Sequence, residues 1–382
     1  MVLILNEEQK MLRDSARDFC QAHLPIRQLR ELRDSEDALG YSRASWEKMV
    51  ELGWSGINIS EKYGGLGFGN HGLGVVMEEL GRSLAASPLL ATCWLGASLI
   101  EFCGDDAQKE SLLPQIVAGE LTLALALEER GRHHPTHIET RADIDGNDFI
   151  INGKKRFVLD GHSADKIIVV ARTQGDIRDK QGISLFLLDP STSGIKVTRT
   201  IMVDSRNCAN IEFDHVRLAA DTLLGELHQG FPSLELALDR ARIGLAAEML
   251  GSLQEAFERT MNYLKVREQF GVQIGTFQAL KHRAAQMFCE LELAKSAVIE
   301  ALSALDDENQ SAEDIASLAS LAKAQTSEAF NLISSEAVQM HGGIGMTDEE
   351  EIGFFMKRAR VAGQTFGDDN FHQSRYAQLE GY

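Results

Sequence analysis

Residues 266–285 read "VREQFGVQIGTFQALKHRAA". Upstream, Leu253, Phe257, Met261 and Leu264 recur at helical spacing, and downstream Leu280, Ala284 and Met287 do the same. The stretch between them is polar and bounded by Gly271 and Gly275, so it reads as a turn joining two helices, with Arg267, Phe270 and Gln278 around it. A third helical pattern follows at Ile315, Leu318, Ala322 and Ala329. Four or five long helices with short connections predict a helical bundle over residues 226–382.

Toward the N-terminus the texture changes. Residues 121–225 hold short runs rich in β-branched residues, among them "DFIING", "KRFVL", "KIIVVART", "GISLFLLD", "GIKVTRTIMV" and "NIEFDHVRL", separated by Gly, Asp, Asn and Pro. Strands at that spacing predict a β-sandwich or barrel. Residues 1–120 return to helical period. Asn6 with Gln9 forms a capping-box pattern ahead of Leu12, Ala16, Phe19 and Cys20, and "SWEKMVELGWSGINISEKYGGLGFG" makes a turn-rich connection before "LGVVMEELGRSLAA" resumes as helix. The expected fold class is α+β in three parts: an all-α domain (1–120), a β domain (121–225) and a helical bundle (226–382).

A chain of 382 residues with 44% hydrophobic residues can bury a large core. Its formal charge of −19 repels nucleic-acid phosphates and anionic lipid, so an anionic ligand must be held by local positive groups. Five scattered cysteines without a CxxC pair fit a reduced, cytoplasmic protein. No apolar run is long enough for a membrane span, and "MVLILNEEQK" lacks a basic signal-peptide start.

This order of domains, with "ELGWSGINISEKYGGLG", "LALALEERG", "LALDRARIGLAAEMLG" and "EAVQMHGGIGMTDE" in sequence, resembles the acyl-CoA dehydrogenase family over essentially the whole chain. The resemblance implies FAD held between the β domain of one subunit and the bundles of its own and a neighbouring subunit. It also implies an acyl-CoA thioester as substrate and an electron-transfer flavoprotein or similar acceptor. Arg267 would neutralise the pyrophosphate, Phe270 would lie against the adenosine, and Gln278 and Gln339 would supply amide groups. Gly342 and Gly343 would let backbone approach the cofactor closely. Leu127, Glu129, Phe157, Leu159, Asp368 and Asn370 complete the implied FAD contacts. Taken singly, "HGGIG" reads as a helix terminator, Arg267 as a surface ion-pair partner and Phe270 as core.

Where family members carry Thr-Glu-Pro-Gly-x-Gly-Ser-Asp, this chain has "EERGRHHPTH", matching only at Glu129 and Gly131. His133, His134 and His137 in that tract read as a solvated loop rather than a metal site. At the flavin-facing Trp-x-Thr, Phe157 keeps a ring, while Leu159 cannot donate a hydrogen bond. The family reaction removes an α-proton with a carboxylate as the β-hydrogen leaves as hydride. "RARVAGQTFGDD" places Phe366 at the usual glutamate, and the alternative glutamate position falls on Ala241. Asp368 is the nearest substitute base, with helix capping as its competing role, and Arg242 would brace the active-site loop or join a buried ion pair. Three activities follow: dehydrogenation with Asp368 as displaced base, a base-lacking subunit of a hetero-oligomer resembling the pimeloyl-CoA dehydrogenase small subunit, or a flavin-dependent monooxygenase on the same fold. Either a homo-oligomer or a hetero-oligomer with a homologous subunit is expected.

Overall fold

A computed structural model describes residues 5–382. The chain begins with α1 (Glu7–His23), α2 (Ile26–Asp34), α3 (Arg43–Glu51) and α4 (Asn70–Arg82). A buried π-helix (Leu90–Ala97) runs into α5 (Ser98–Cys103), and α6 (Asp106–Val117) follows. Then come β1 (Leu123–Ala126), β2 (Arg141–Asp145), β3 (Asp148–Leu159), β4 (Lys166–Arg172), β5 (Ile183–Leu188), β6 (Ile195–Ile201), β7 (Asn207–Leu218) and β8 (Leu223–Leu224). The last part is α7 (Gly230–Val266), a hairpin of β9 (Glu268–Gln269) and β10 (Val272–Gln273), α8 (Gln278–Leu305), α9 (Ala312–His341), α10 (Ile352–Gln364) and α11 (Asp369–Leu379). The expected order of helices, strands and helices is present. The quoted "SWEKMVE" differs from its expected turn: it lies in α3, capped by the Ser42 hydroxyl, and the turns begin only at Leu52.

The chain packs as two compact units. One gathers the N-terminal segment to Asp34, Asn70–Ala86 and Arg242–Tyr382; the other holds Ser35–Gly69 and Ser87–Ala241. In the first, Asn6 and Gln9 form the expected capping box on α1. Helices α4 and α7 meet backbone to backbone: a Cβ on Gly81 would lie 1.9 Å from the Glu248 carbonyl oxygen, and one on Gly251 would lie 1.8 Å from that of Glu78. The Ser252 hydroxyl donates to the Gly81 carbonyl at 2.8 Å across this contact. Only glycine permits that approach.

In the second unit the strands form one eight-stranded sheet, ordered β6-β7-β3-β2-β4-β5-β8, with β1 joined to β4 in parallel. Alternate residues of the long strands bury Phe149, Ile151, Phe186, Ile211 and Phe213 in one core, where the Phe149 and Phe186 rings meet edge-on at 4.9 Å. The runs "DFIING" and "KRFVL" are a single strand, β3, bent by register shifts against β7.

Candidate functional site

In the bundle unit, a short loop joins α10 to α11 and carries Phe366. Its backbone is in the left-handed region at φ +58°, followed by Gly367 at +114°. Buried side-chain donors hold this loop by its carbonyls. The Phe366 oxygen accepts from Arg242 Nε at 3.3 Å and from His372 Nε2 at 3.1 Å. Lys323 Nζ donates to the carbonyls of Gly363 and Gly367, each at 3.1 Å, and contacts Ser327 Oγ at 3.2 Å. Asp368 Oδ1 accepts from the Phe371 amide at 2.8 Å, which makes Asp368 the N-cap of α11. The capping role expected for Asp368 is therefore its own, and one of its carboxylate oxygens is spent on it. Arg242 is fully buried, bracing the loop through backbone. Ala241 offers only a buried methyl.

A second cluster lies at the far end of the same bundle. The Tyr263 hydroxyl donates to the His341 carbonyl at 3.2 Å, and the two rings stack at 4.3 Å, tying the end of α7 to the end of α9. Just beyond α7, the hairpin turns at Phe270 and Gly271, with φ of +56° and +80°. Phe270 is 84% exposed, which removes it from the core. Arg267 is exposed too, and its guanidinium has no partner among the described residues, so the surface ion-pair reading does not hold. Gln278 Nε2 lies 3.0 Å from His282 Nε2. Beyond α9, Gly342 takes φ +68°, and neither it nor Gly343 has an atom within 4 Å of where a Cβ would sit. Gln339 is exposed one turn earlier, and its carbonyl caps the helix end. These groups fit an anionic, ring-bearing cofactor: a bare guanidinium, a presented ring and open glycine backbone. Arg242 and Tyr263 are about six turns apart on α7, roughly 30 Å. The hairpin groups and the Phe366 loop are thus separate clusters, with Asn370 exposed in the first turn of α11 beside the latter.

In the sheet unit, Lys155 is fully buried on β3, donating to the Glu129 carboxylate at 2.7 Å and the Leu127 carbonyl at 3.0 Å. Glu129 also accepts from the amides of Glu139 (2.5 Å) and Thr140 (3.0 Å). Burial pushes the Glu129 carboxyl up, but Lys155 and these amides hold it below the usual carboxylate range. The side chains of Glu129 and Lys155 position the Leu127–Thr140 segment and face inward. Phe157 sits in the bulge between Lys155 and Val158, at φ +50° and 49% exposed, so the bulge turns its ring out of the core. Leu159 pairs with Cys208 of β7 and presents no donor. The histidine tract is engaged with carboxylates: His133 with Glu128, and His137 Nε2 with Glu139 at 2.8 Å. Among the described residues no group of three His, Cys, Asp or Glu side chains could hold a metal. Arg172, fully buried, donates to carbonyls that include Thr136, Ile177, Asp179 and Gln181 and so fixes the loops around that tract.

Lys155, Arg172, Lys323 and His372 escape sequence reasoning. Lys323 alone left a signal: it lies one turn after Ala319 on the apolar stripe of α9, where a charge is out of place.

Three family models match the chain: acyl-CoA dehydrogenase, N-terminal domain, over residues 6–120; middle domain, over 124–216; and C-terminal domain, over 228–378. The caffeyl-CoA reductase-Etf complex subunit CarC of Acetobacterium woodii is 30% identical over 94% of both chains. Among solved structures, butyryl-CoA dehydrogenase from Megasphaera elsdenii is 27% identical, covers 100% of both chains and superposes with a TM-score of 0.89. The Tcur3481-Tcur3483 steroid ACAD is 29% identical over 98% of both chains, with a TM-score of 0.87.

Proposed function

Because the chain belongs to the acyl-CoA dehydrogenase family, FAD-dependent oxidoreductases acting on CH–CH groups, we propose that it is the base-lacking subunit of a mixed dehydrogenase. It lends the hairpin end of its bundle to the FAD of a homologous subunit, and that subunit supplies the catalytic carboxylate for an acyl-CoA thioester. The observation that carries this reading is the bare, exposed Arg267 and Phe270, about 30 Å along α7 from the chain's own Phe366 loop. Arginine left unpaired on a chain of charge −19 is placed for an anion from outside the fold. FAD, when bound, takes up the hydride that leaves the substrate's β-carbon. This chain's residues hold and orient: Arg267 gives donors to the pyrophosphate, Phe270 gives a face to the adenosine, and Gly342 and Gly343 leave room for backbone approach.

At the family's proton-abstracting position Phe366 has no acceptor, and Asp368 is committed to the α11 cap. A general base must reach the proton it removes, and the capping bond aims the Asp368 carboxylate at its own helix. Two relatives' names support a composite enzyme: CarC is by name a subunit of a reductase-Etf complex, and the steroid ACAD carries the double designation Tcur3481-Tcur3483. An electron-transfer flavoprotein is accordingly the proposed acceptor. The test is to purify the chain alone and with a homologous, glutamate-bearing chain from the same organism. FAD content and acyl-CoA dehydrogenation with an artificial acceptor are then measured. Little activity from the chain alone and full activity from the pair is expected. Full activity from the chain alone, abolished by Asp368→Asn with FAD retained, would establish the displaced-base reading instead.

A further inference from the structure

We propose that Lys323 is a positioning residue, a proton-dependent clamp that sets where the α10–α11 loop holds Phe366 and Asp368. The ammonium group has three N–H donors, and it meets three acceptors: the carbonyls of Gly363 and Gly367, which bracket the loop, and the Ser327 hydroxyl on its own helix. Lys323 is fully buried and has no salt bridge among the described residues. The charged groups around it come from three neighbouring helices: Arg242 on α7, Arg358 on α10, and Asp368 and Asp369 at the start of α11. His372, also on α11, holds the adjacent Phe366 carbonyl. Burial, then the Arg242 charge, draws the Lys323 amine down to about 7, against the pull of the two aspartates. Charge-assisted bonds are roughly twice as strong as neutral ones. When the amine loses its proton, both loop carbonyls pass from a charged donor to a neutral one, and the repulsion from Arg242 disappears. The loop is then held mainly by Arg242 and His372 at the single Phe366 carbonyl. This inference is independent of which subunit supplies the base.

Hydrogen–deuterium exchange on the flavin-loaded protein between pH 6 and 9, corrected for intrinsic exchange rates, reads the clamp directly. Peptides covering residues 363–371 should lose protection several-fold across neutral pH, while peptides from α4 and the middle of α7 stay flat. Lys323→Met should leave the loop at the weakly protected level at every pH, because it keeps the volume and removes the donor. Loop protection in the unmodified protein that is independent of pH overturns the proposal, and so does an unchanged profile in Lys323→Met. Should that variant not fold, the profile of the unmodified protein decides by itself.

Discussion

A lysine buried in a bundle without a salt-bridged carboxylate makes stability fall as pH falls, the same direction as acid denaturation but in a neutral-to-alkaline window. Lys323 titrates at about 7 when folded and at the usual 10.5 when unfolded, so between these values the unfolded chain holds a proton that the folded chain lacks. Stability rises with pH across that window, by up to about 1.4 kcal/mol per unit from this group, and the contribution is flat below and above it. Lys323→Met should therefore lack this component of the slope between pH 7 and 9; parallel slopes in the two proteins would show that the amine does not titrate there. Phe366 presents the second residue-scale test. Phe366→Glu returns a carboxylate to a loop whose carbonyls are already held, and a general base is worth about a hundred- to ten-thousandfold. Acyl-CoA dehydrogenation with an artificial acceptor should rise accordingly in the flavin-loaded protein. No gain, with flavin and thioester both bound, would mean that this loop does not face the reacting carbon. Asp368→Asn is a clean companion because asparagine caps a helix as well as aspartate does, so a loss of rate would be chemical and not structural.

At the scale of elements, the hairpin after α7 is a feature whose conformation its own sequence does not favour. Phenylalanine in the left-handed region costs about 1–2 kcal/mol, and an 84% exposed ring recovers little of it by burial. A strain of this kind persists where a ligand uses it. Phe270→Gly removes that penalty against a backbone entropy cost of about 0.5–1 kcal/mol, so thermal stability should hold or rise while the assembly's FAD affinity falls. A clear loss of stability would show instead that the ring packs within the protein. Arg267→Ala should weaken FAD binding by about ten- to a hundredfold, the loss of one charge-assisted contact, and equilibrium dialysis checks it. Legibility followed the same physics. The long strands β3 to β7 announced themselves by β-branched runs. By contrast, "LALA" of β1 is buried at all four positions, and "RADID" of β2 is exposed at four of five, so neither alternates enough to be read. Lys155 and Glu129 lie on different elements, and only folding reveals them as a pair whose separation would cost about 3–5 kcal/mol. Phe366, Leu159 and the bare hairpin arginine, by contrast, were visible as residues, because each departs from or keeps a chemical requirement at one position.

For the molecule as a whole, the bundle leaves apolar surface open on one helix. Helix α8 has 28 residues, yet none from Gln278 to Gln286 is buried, and farther along Phe288 and Leu293 are 50% and 57% exposed. A long helix that keeps large apolar side chains in water on one side, next to a hairpin doing the same with Phe270 and Val272, lacks the cover that a packed helix has elsewhere. Burying one such side chain removes about 1.5–3 kcal/mol of exposed-surface cost, so several together can hold subunits that carry strong like charge. The chain, with or without its homologous partner, is expected to elute as a dimer or tetramer in light scattering. Phe288→Asp and Leu293→Asp together should shift it toward monomer without unfolding it, because neither side chain is part of the core. FAD should be lost in the same step if, as proposed, Arg267 serves the flavin of another subunit. A stable monomer that retains FAD would break this link, and it would place Arg267 and Phe270 in the chain's own site.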